Sequence, residues 1–181
     1  LGATSSGSSL SYANGVWTLS GSGWGAWGGA THSCQFAYKA MTGDCAMVAL
    51  VNPFPYTGNT AGRMVLMIRD NLVNTNSQNA IFSLSPHSTD GGYNFESYQY
   101  GWTDNWGGSN WAHRSQTLPL PMPYWLKIER IGNHINTYTS PDGANWAPNT
   151  SSYYGNGLPS TVYIGLFLCT GGTMNATGTY S

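Results

Sequence analysis

The sequence predicts an all-β protein, an antiparallel two-sheet β-sandwich with negligible helix. Apolar and polar residues alternate in many short segments, most clearly in residues 33–40, where Cys34, Phe36 and Tyr38 fall on one face. Residues typical of turns separate these segments at spacings that favour a sandwich. No segment shows the periodicity of an amphipathic helix, and residues 70–79 have room for one helical turn at most.

Two segments near the middle of the first half carry the clearest strand signal. Residues 33–40 and 46–51 are predicted to form a β-hairpin, and the continuous apolar run of the second segment predicts a strand buried on both faces. Turns at Gly132-Asn133 and at residues 141–143 are predicted to close two further hairpins. The other predicted strands are 16–20, 63–69, 80–85, 93–100, 125–130, 135–140 and 162–169. The predicted core consists of Phe36, Tyr38, Val48, Leu50, Met64, Leu66, Ile68, Trp125, Leu126, Ile128, Tyr138, Ile164 and Leu166.

The composition limits the kinds of partner that the protein can bind. Charged residues make up 7% of the 181 residues, against about 25% in an ordinary soluble protein. Only six Lys and Arg residues are spread along the chain, which argues against a nucleic-acid surface. No apolar run approaches the roughly 20 residues that span a bilayer. A surface rich in hydroxyl and amide groups favours a secreted or surface-exposed protein that binds sugars or other copies of itself. We expect one domain over residues 1–181, with residues 1–9 as a polar extension.

The three cysteines contain no C-x-x-C pair, so a zinc or redox site is not expected. An odd count allows three buried thiols, or one disulfide and a spare thiol. Cys34 begins one predicted strand and Cys169 ends another, so the two would meet if those strands were antiparallel neighbours. On this basis we predict a disulfide between Cys34 and Cys169, with Cys45 as the spare thiol.

Five segments, in order, resemble a bacterial extracellular domain family. They are residues 36–44 (FAYKAMTGD), 61–70 (AGRMVLMIRD), 123–133 (PYWLKIERIGN), 138–146 (YTSPDGANW) and 161–166 (TVYIGL). The family is often called DUF1349-like and has a concanavalin A/laminin-G-like jelly-roll sandwich. The resemblance implies a fold and an extracellular setting, often beside carbohydrate-active enzymes, and it implies no reaction. The sequence departs from the family at Cys45, which replaces a usual glycine.

A segment rich in tryptophan, residues 101–111, is the clearest candidate site. Aromatic faces stack on the C–H patches of sugars, while amides and carboxylates bind sugar hydroxyls. A second cluster, in residues 21–29, would extend the same platform. Packing within the sandwich and contact with another protein are the alternatives. The predicted ligand-binding residues are Trp102, Asp104, Asn105, Trp106, Trp111, Trp24 and Trp27.

Enzyme activity and metal binding have weaker support. The chain has seven carboxylates, and the E-x-D-x-x-E strand motif of glycosidases is absent because Ser97 and Tyr98 follow Glu96. Glu129 is expected to form a structural ion pair. No cofactor is expected; a structural Ca²⁺ held by Asp90, or by Asp104 with Asn105, is the one candidate. The sequence therefore predicts a non-catalytic, glycan-binding or adhesive extracellular module.

A rival prediction is the repeating subunit of an extracellular filament or surface layer. The last strand is short beside the family pattern, which would leave a sheet edge for another chain to complete. A surface with so few charges also offers little repulsion between identical copies.

Overall fold

A computed structural model describes residues 7–25, 33–53, 62–72, 79–86, 93–100, 114–118, 122–153 and 157–181. In these ranges the chain forms β-strands and no helix, so there is none with the length and hydrophobicity needed to cross a membrane. The strands are β1 Ser9–Ala13, β2 Val16–Gly23, β3 Gln35–Thr42, β4 Cys45–Val51, β5 Arg63–Arg69, β6 Asn79–Pro86, β7 Tyr93–Tyr100, β8 Arg114–Leu118, β9 Tyr124–Ile131, β10 His134–Ser140, β11 Ala147–Tyr153, β12 Thr161–Cys169 and β13 Gly172–Tyr180.

The strands form two antiparallel sheets. One sheet has the order β1-β2-β13-β4-β9-β10-β11, and the other has the order β3-β12-β5-β6-β7-β8. The predicted fold class, an all-β two-sheet sandwich, is therefore confirmed. Because neighbouring strands are often far apart in sequence, the order of the strands depends on long-range pairing rather than on successive hairpins.

The main core lies between the sheets, and a second apolar cluster lies on the other face of the six-stranded sheet. The main core draws side chains from both sheets, whereas the second cluster contains only residues of β5 and β12 with Cys34 and the adjoining Phe36. β5 is buried along its whole length because it has apolar residues on both faces. The six-stranded sheet is therefore buried on both faces near its centre.

Most of the predicted core is confirmed. The fully buried members are Met64, Leu66, Ile68, Leu126, Ile128, Ile164 and Leu166. Phe36 is half-buried against the second cluster, whereas Leu50, Trp125 and Tyr138 are half-buried but belong to neither cluster, so the prediction of core positions is not confirmed for these three. The prediction is wrong for Tyr38 and Val48, which are 49% and 47% exposed. Val48 is exposed because β4 buries only the face that carries Cys45, Ala49 and Val51, so its apolar run does not make it a two-faced strand.

The predicted hairpin of residues 33–40 with 46–51 is also wrong. β3 pairs with β12 in one sheet, and β4 pairs with β9 in the other, so the chain crosses between sheets at Gly43 and Asp44. β3 and β4 each bury one face in the main core, which is possible when the two strands lie in sheets that face each other. The Asp44 carboxylate fixes this crossing by accepting a hydrogen bond from the Gly132 backbone N–H at 2.7 Å.

The two predicted turn segments do close hairpins. Gly132-Asn133 joins β9 to β10, and residues 141–143 lie between β10 and β11, which pair with each other. A further hairpin joins β1 to β2 through Asn14 and Gly15, both with positive φ, as a type I′ turn requires.

The last strand is not a sheet edge. β13 lies between β2 and β4, and backbone hydrogen bonds of 2.8 and 3.0 Å join Leu50 to Ser181. The expectation that this strand leaves an edge for another chain is therefore wrong. Among the strands in the described ranges, the outermost are β1 and β11 in one sheet and β3 and β8 in the other.

Candidate ligand-binding groove

Most of the ligand-binding residues predicted from the sequence lie outside the described residues. These are Trp27, Trp102, Asp104, Asn105, Trp106 and Trp111. Trp24 lies just after β2, beside the backbone bridge of Gly25 with Ser33, and is 63% exposed. Its exposure agrees with a role in binding a ligand, but it does not line the cavities described next.

A groove opens between the β1–β2 hairpin of one sheet and β3, the edge strand of the other. It contains two adjoining cavities, of about 450 and 240 Å³, which share Leu10 and Ala37 as wall residues. We call the larger the aromatic cavity; its lining residues are Leu10, Trp17, Ala37, Tyr38, Lys39, Met47 and Leu166. We call the smaller the polar cavity; its lining residues are Ser8, Ser9, Leu10, Leu19, Gln35, Phe36 and Ala37. The two together are the hairpin groove.

Exposed aromatic rings lie on both sides of the edge strand β3: those of the hairpin face the groove, and that of Tyr38 lies on the outer face of β3. On the hairpin, the rings of Tyr12 and Trp17 lie 4.7 Å apart between centroids, and the two side chains are 60% and 40% exposed. On the opposite side, Tyr38 is stacked on Phe36 and meets Tyr163 edge to face, both at 5.4 Å. The contact between Tyr12 and Trp17 holds these two rings in fixed orientations, so their open faces form a preorganised apolar surface beside the aromatic cavity.

Close approach of two strands places Tyr38 at the groove. Tyr38 is the register partner of Gly165 on β12. A Cβ atom at residue 165 would come within 2.1 Å of the Ala37 carbonyl oxygen and 2.7 Å of the Tyr38 Cα atom. Glycine at this position is therefore needed for β3 to lie where it does.

Gln35, a wall residue of the polar cavity, has a hydrogen-bond donor that the described part of the chain leaves unsatisfied. Gln35 Nε2 is buried and has no hydrogen-bond partner there. Gly21, with φ of +152°, leaves the space for this side chain, because a Cβ atom at residue 21 would lie 2.6 Å from Gln35 Nε2. A buried donor without an acceptor costs free energy, so a ligand oxygen that reaches this amide would be favoured.

The carboxylates whose side chains the structure describes have structural partners. Glu129 binds Lys127 at 2.6 Å and accepts a hydrogen bond from the Tyr138 hydroxyl at 2.6 Å, so the predicted structural ion pair of Glu129 is confirmed. Burial disfavours charged Glu129, but the hydrogen bonds from Lys127 and Tyr138 outweigh burial and lower its pKa. The same hydrogen bond raises the pKa of Tyr138 to about 12.

Two other carboxylates hold turns. Asp142 accepts hydrogen bonds from the backbone and side chain of Asn145 at 2.8 Å each, which keep its pKa below the usual range. Asp70 accepts a hydrogen bond from the Asn71 side chain at 3.2 Å. None of these carboxylates lines the hairpin groove.

The three cysteines are thiols, and the predicted disulfide between Cys34 and Cys169 is absent from the structure. The premise of that prediction holds, because β3 and β12 are antiparallel neighbours, and their register pair Leu168 with Gln35 lies directly beside these two residues. Both thiols are buried in the second apolar cluster. Burial raises the pKa of Cys34 to about 11 and that of Cys169 to about 12, so the protonated thiols are strongly favoured.

In the ranges that the structure covers, no three His, Cys, Asp or Glu side chains are grouped as metal ligands. The candidate calcium ligands Asp90, Asp104 and Asn105 lie outside those ranges.

Comparisons with known proteins identify structures of similar fold but no family that matches this chain. No protein-family model matches the chain, and no curated protein matches it. A functionally unknown protein from Saccharomyces cerevisiae has a similar structure, with a TM-score of 0.76 and 15% identity over 99% of this chain and 92% of that one. The xylan β-1,4-xylosidase of Bacillus halodurans C-125 has a TM-score of 0.62 and 14% identity over 90% of this chain. The chain spans 32% of that enzyme.

A third similar structure is the CBM2 module of the evolved Dit protein of Lactobacillus casei BL23 phage J-1. Its TM-score is 0.53, with 13% identity over 96% of this chain and 79% of the module. Identities this low show the fold alone, and these β-sandwich neighbours are consistent with the concanavalin A-like fold predicted from the sequence. Membership of the DUF1349-like family stays a prediction.

Sequence patterns miss the hairpin groove for identifiable reasons. Asn14-Gly15 between Ala13 and Val16 is a strong hairpin signal, and it would have predicted β1 and the position of Trp17. The alternation with Phe36 predicts a buried Tyr38, although this side chain is 49% exposed on the outer face of β3. No local signal shows that β1 and β3 are edge strands, since this depends on the pairing of the whole chain.

Proposed function

We propose that this chain is a non-catalytic carbohydrate-binding module that works outside the cell and holds a glycan along the hairpin groove. The observation that carries the proposal is the exposed aromatic surface of Tyr12 and Trp17 beside a cavity of about 450 Å³ that Trp17 lines. Sugar rings have apolar C–H faces that stack on such rings, and their hydroxyl groups need the polar atoms that an adjoining cavity supplies.

The fold neighbours support a role in carbohydrate recognition. One is a carbohydrate-binding module, and another is a xylosidase of which this chain resembles about a third. A sandwich of this kind serves many functions, so the proposal depends on the groove and not on the fold.

Absence of catalysis is part of the proposal. The described carboxylates have partners in Lys127, Tyr138, the side chains of Asn71 and Asn145, and the backbone of turns. A glycosidase of the common type needs two carboxyl groups that flank the scissile bond. We therefore expect no reducing sugar to be released when the protein is incubated with any polysaccharide that it binds.

The test is a glycan-array screen followed by titration calorimetry with the best ligand. Trp17→Ala should weaken binding by about tenfold or more, because it removes a stacking face, whereas Tyr38→Ala removes a ring on the outer face of β3 and should weaken binding less. Val48→Ala is the matched control, since Val48 is similarly exposed and lies outside both cavities.

Trp106→Ala separates this site from the tryptophan-rich segment 101–111. If Trp106→Ala lost binding while Trp17→Ala kept wild-type affinity, the glycan site would lie in that segment and not in the hairpin groove. Failure of the wild-type protein to bind any glycan would overturn the proposed function itself.

A second candidate function is self-assembly into a filament or surface layer, with β1 as the strand that pairs with another chain. Every residue of this edge strand is exposed, including Leu10 at 51% and Tyr12 at 60%. Exposed edge strands pair readily with other chains. Light scattering at high concentration tests this candidate: a monomer unaffected by Leu10→Lys would exclude it, whereas an assembly that this variant disperses would support it.

A further inference from the structure

We infer that the hairpin groove selects acidic glycans, with Lys39 binding the carboxylate of a uronic acid residue in the chain. The inference deepens the proposed function and depends on it, because it assigns the ligand class of the same groove. Lys39 lines the aromatic cavity beside Trp17 and Tyr38.

The residues that line the groove carry a positive charge with no negative charge to balance it. Among the residues that line its two cavities, Lys39 is the one charged side chain, and no carboxylate is present to neutralise it. An ammonium group with no opposite charge nearby favours an anionic ligand group, and a charge-assisted hydrogen bond is stronger than a neutral one.

The other Lys and Arg side chains that the structure describes already have ion-pair or hydrogen-bond partners. Lys127 binds Glu129 at 2.6 Å. Arg130 donates to the carbonyl oxygens of Gly132 and Pro159 at 2.9 and 2.6 Å, and the two buried arginines of β5 donate to backbone carbonyls next to that strand. Within this set, Lys39 alone is exposed.

The alternation of β3 directs Lys39 towards the groove. Ala37 and Met41 pack against the main core between the sheets, so Lys39, between them in the alternation, is on the side of β3 that faces the other sheet. A uronic acid carries its carboxylate at the rim of a ring whose flat face is apolar. A ring stacked on Trp17, which lines the same cavity, would therefore present its carboxylate beside the stacking face, where Lys39 borders the cavity.

The ligand is expected to be an oligosaccharide rather than a single sugar. Gln35 in the polar cavity and Lys39 in the aromatic cavity are separated by four residues of extended chain, roughly 13 Å. That distance exceeds the length of one pyranose ring, so a ligand that contacts both residues has at least two sugars.

An inward-facing charge on an edge strand also hinders pairing with another chain. If this were the whole role of Lys39, Lys39→Gln would raise self-association and leave ligand preference unchanged. The experiment below measures both properties.

The probes are an oligogalacturonate and the same oligosaccharide after methyl esterification of its carboxylates. The two share every ring and differ in charge. We expect the wild-type protein to bind the acid about tenfold more tightly, which corresponds to about 1.4 kcal/mol, and to lose this preference as salt is added. Lys39→Gln should bind both probes equally, at the affinity of the wild type for the ester. Lys39→Arg should keep the preference, because it keeps the charge.

The outcomes separate the inference from the proposed function. Equal binding of acid and ester by the wild type, or an acid preference that persists in Lys39→Gln, would overturn the inference and leave glycan binding intact. A preference for sulfated over carboxylated sugars, lost in Lys39→Gln, would overturn the uronic acid assignment. If neither probe binds while neutral glycans of the array do, the inference fails alone; if no glycan binds, the proposed function fails.

Discussion

Two buried cysteine thiols and one buried tyrosine hydroxyl make the stability of the fold sensitive to alkaline pH. Burial raises the pKa of Cys34 to about 11 and of Cys169 to about 12, and it raises the pKa of the Tyr180 hydroxyl, which donates to the Phe167 carbonyl, further still. In the unfolded chain these groups ionise near 9.0 for Cys and 10.0 for Tyr. The stability that depends on the protonated forms is therefore complete below about pH 9 and is lost as the pH rises towards 12.

Thermal unfolding between pH 7 and pH 11 checks this prediction. We expect the Tm to be flat to about pH 9 and then to fall, with a shallower fall in Cys169→Ala. A Tm that stays constant to pH 11 would contradict the burial of these groups.

The same two cysteines predict a pattern of chemical reactivity. The thiolate is the reactive form, so raised pKa values and burial should protect Cys34 and Cys169 from iodoacetamide at pH 8. Mass spectrometry should show little labelling of these two residues in the native protein and labelling of all three cysteines in denaturant. Two unreactive cysteines in denaturant, released by a reductant, would show that a disulfide does form.

Tyr38 shows what residue-level reasoning can and cannot provide. The alternation of residues 33–40 correctly places Cys34 and Phe36 on one face, and both pack in the second apolar cluster. It cannot show that this face is the outer one, because β3 has apolar residues on both faces. The predicted burial of Tyr38 is therefore wrong, and the alternation assigns an exposed binding-site candidate to the core.

At the scale of elements, the β1–β2 hairpin carries one side of the groove, and its turn depends on glycine. Gly15 has φ of +82°, and a Cβ atom at this residue would meet no other atom within 4 Å. Gly15→Ala therefore introduces backbone strain alone, about 1 kcal/mol. We expect this strain to weaken glycan binding because the hairpin holds Leu10 and Trp17.

Gly132→Ala is the matched control for this prediction. Gly132 has φ of +58° and equal space, but it lies in the β9–β10 turn, outside both cavities. Urea unfolding should give similar losses of stability for the two variants, and calorimetry should show weaker binding only for Gly15→Ala. Equal affinities of the two variants for the glycan would contradict a role of the β1–β2 hairpin in the binding site.

A second glycine supports the other side of the groove. Gly165→Ala would force β3 away from β12, since the new methyl group meets the backbone of residues 37 and 38 rather than a flexible side chain. We expect a loss of about 3 kcal/mol in the free energy of unfolding, clearly more than for Gly132→Ala. A loss equal to that of Gly132→Ala would contradict the close approach of the two strands.

For the whole molecule, the sequence predicts the sandwich and most of its central strands, while the groove depends on how the sheets are ordered. The turn at Gly43 and Asp44 has the composition of a hairpin turn, yet it crosses between sheets, because β3 pairs with β12 in one sheet and β4 pairs with β9 in the other. The strands predicted from the sequence do not include β8, β11 and β13, because polar or small residues dominate these strands and weaken their alternation; β1 is also missing from them, although Leu10 and Tyr12 alternate with serines before Asn14-Gly15. The edges of the two sheets, and hence the groove between them, follow only from this pairing.

Backbone NMR of the glycan-bound protein tests the central claim most directly, because amide shifts report where the ligand lies without altering any residue. We predict that the amides of β1, β2 and β3, including Trp17 and Tyr38, shift as glycan is added, and that those of the β9–β10 turn do not. Shifts confined to residues 101–113 or to the surroundings of Trp24, with β1 and β3 unchanged, would contradict it.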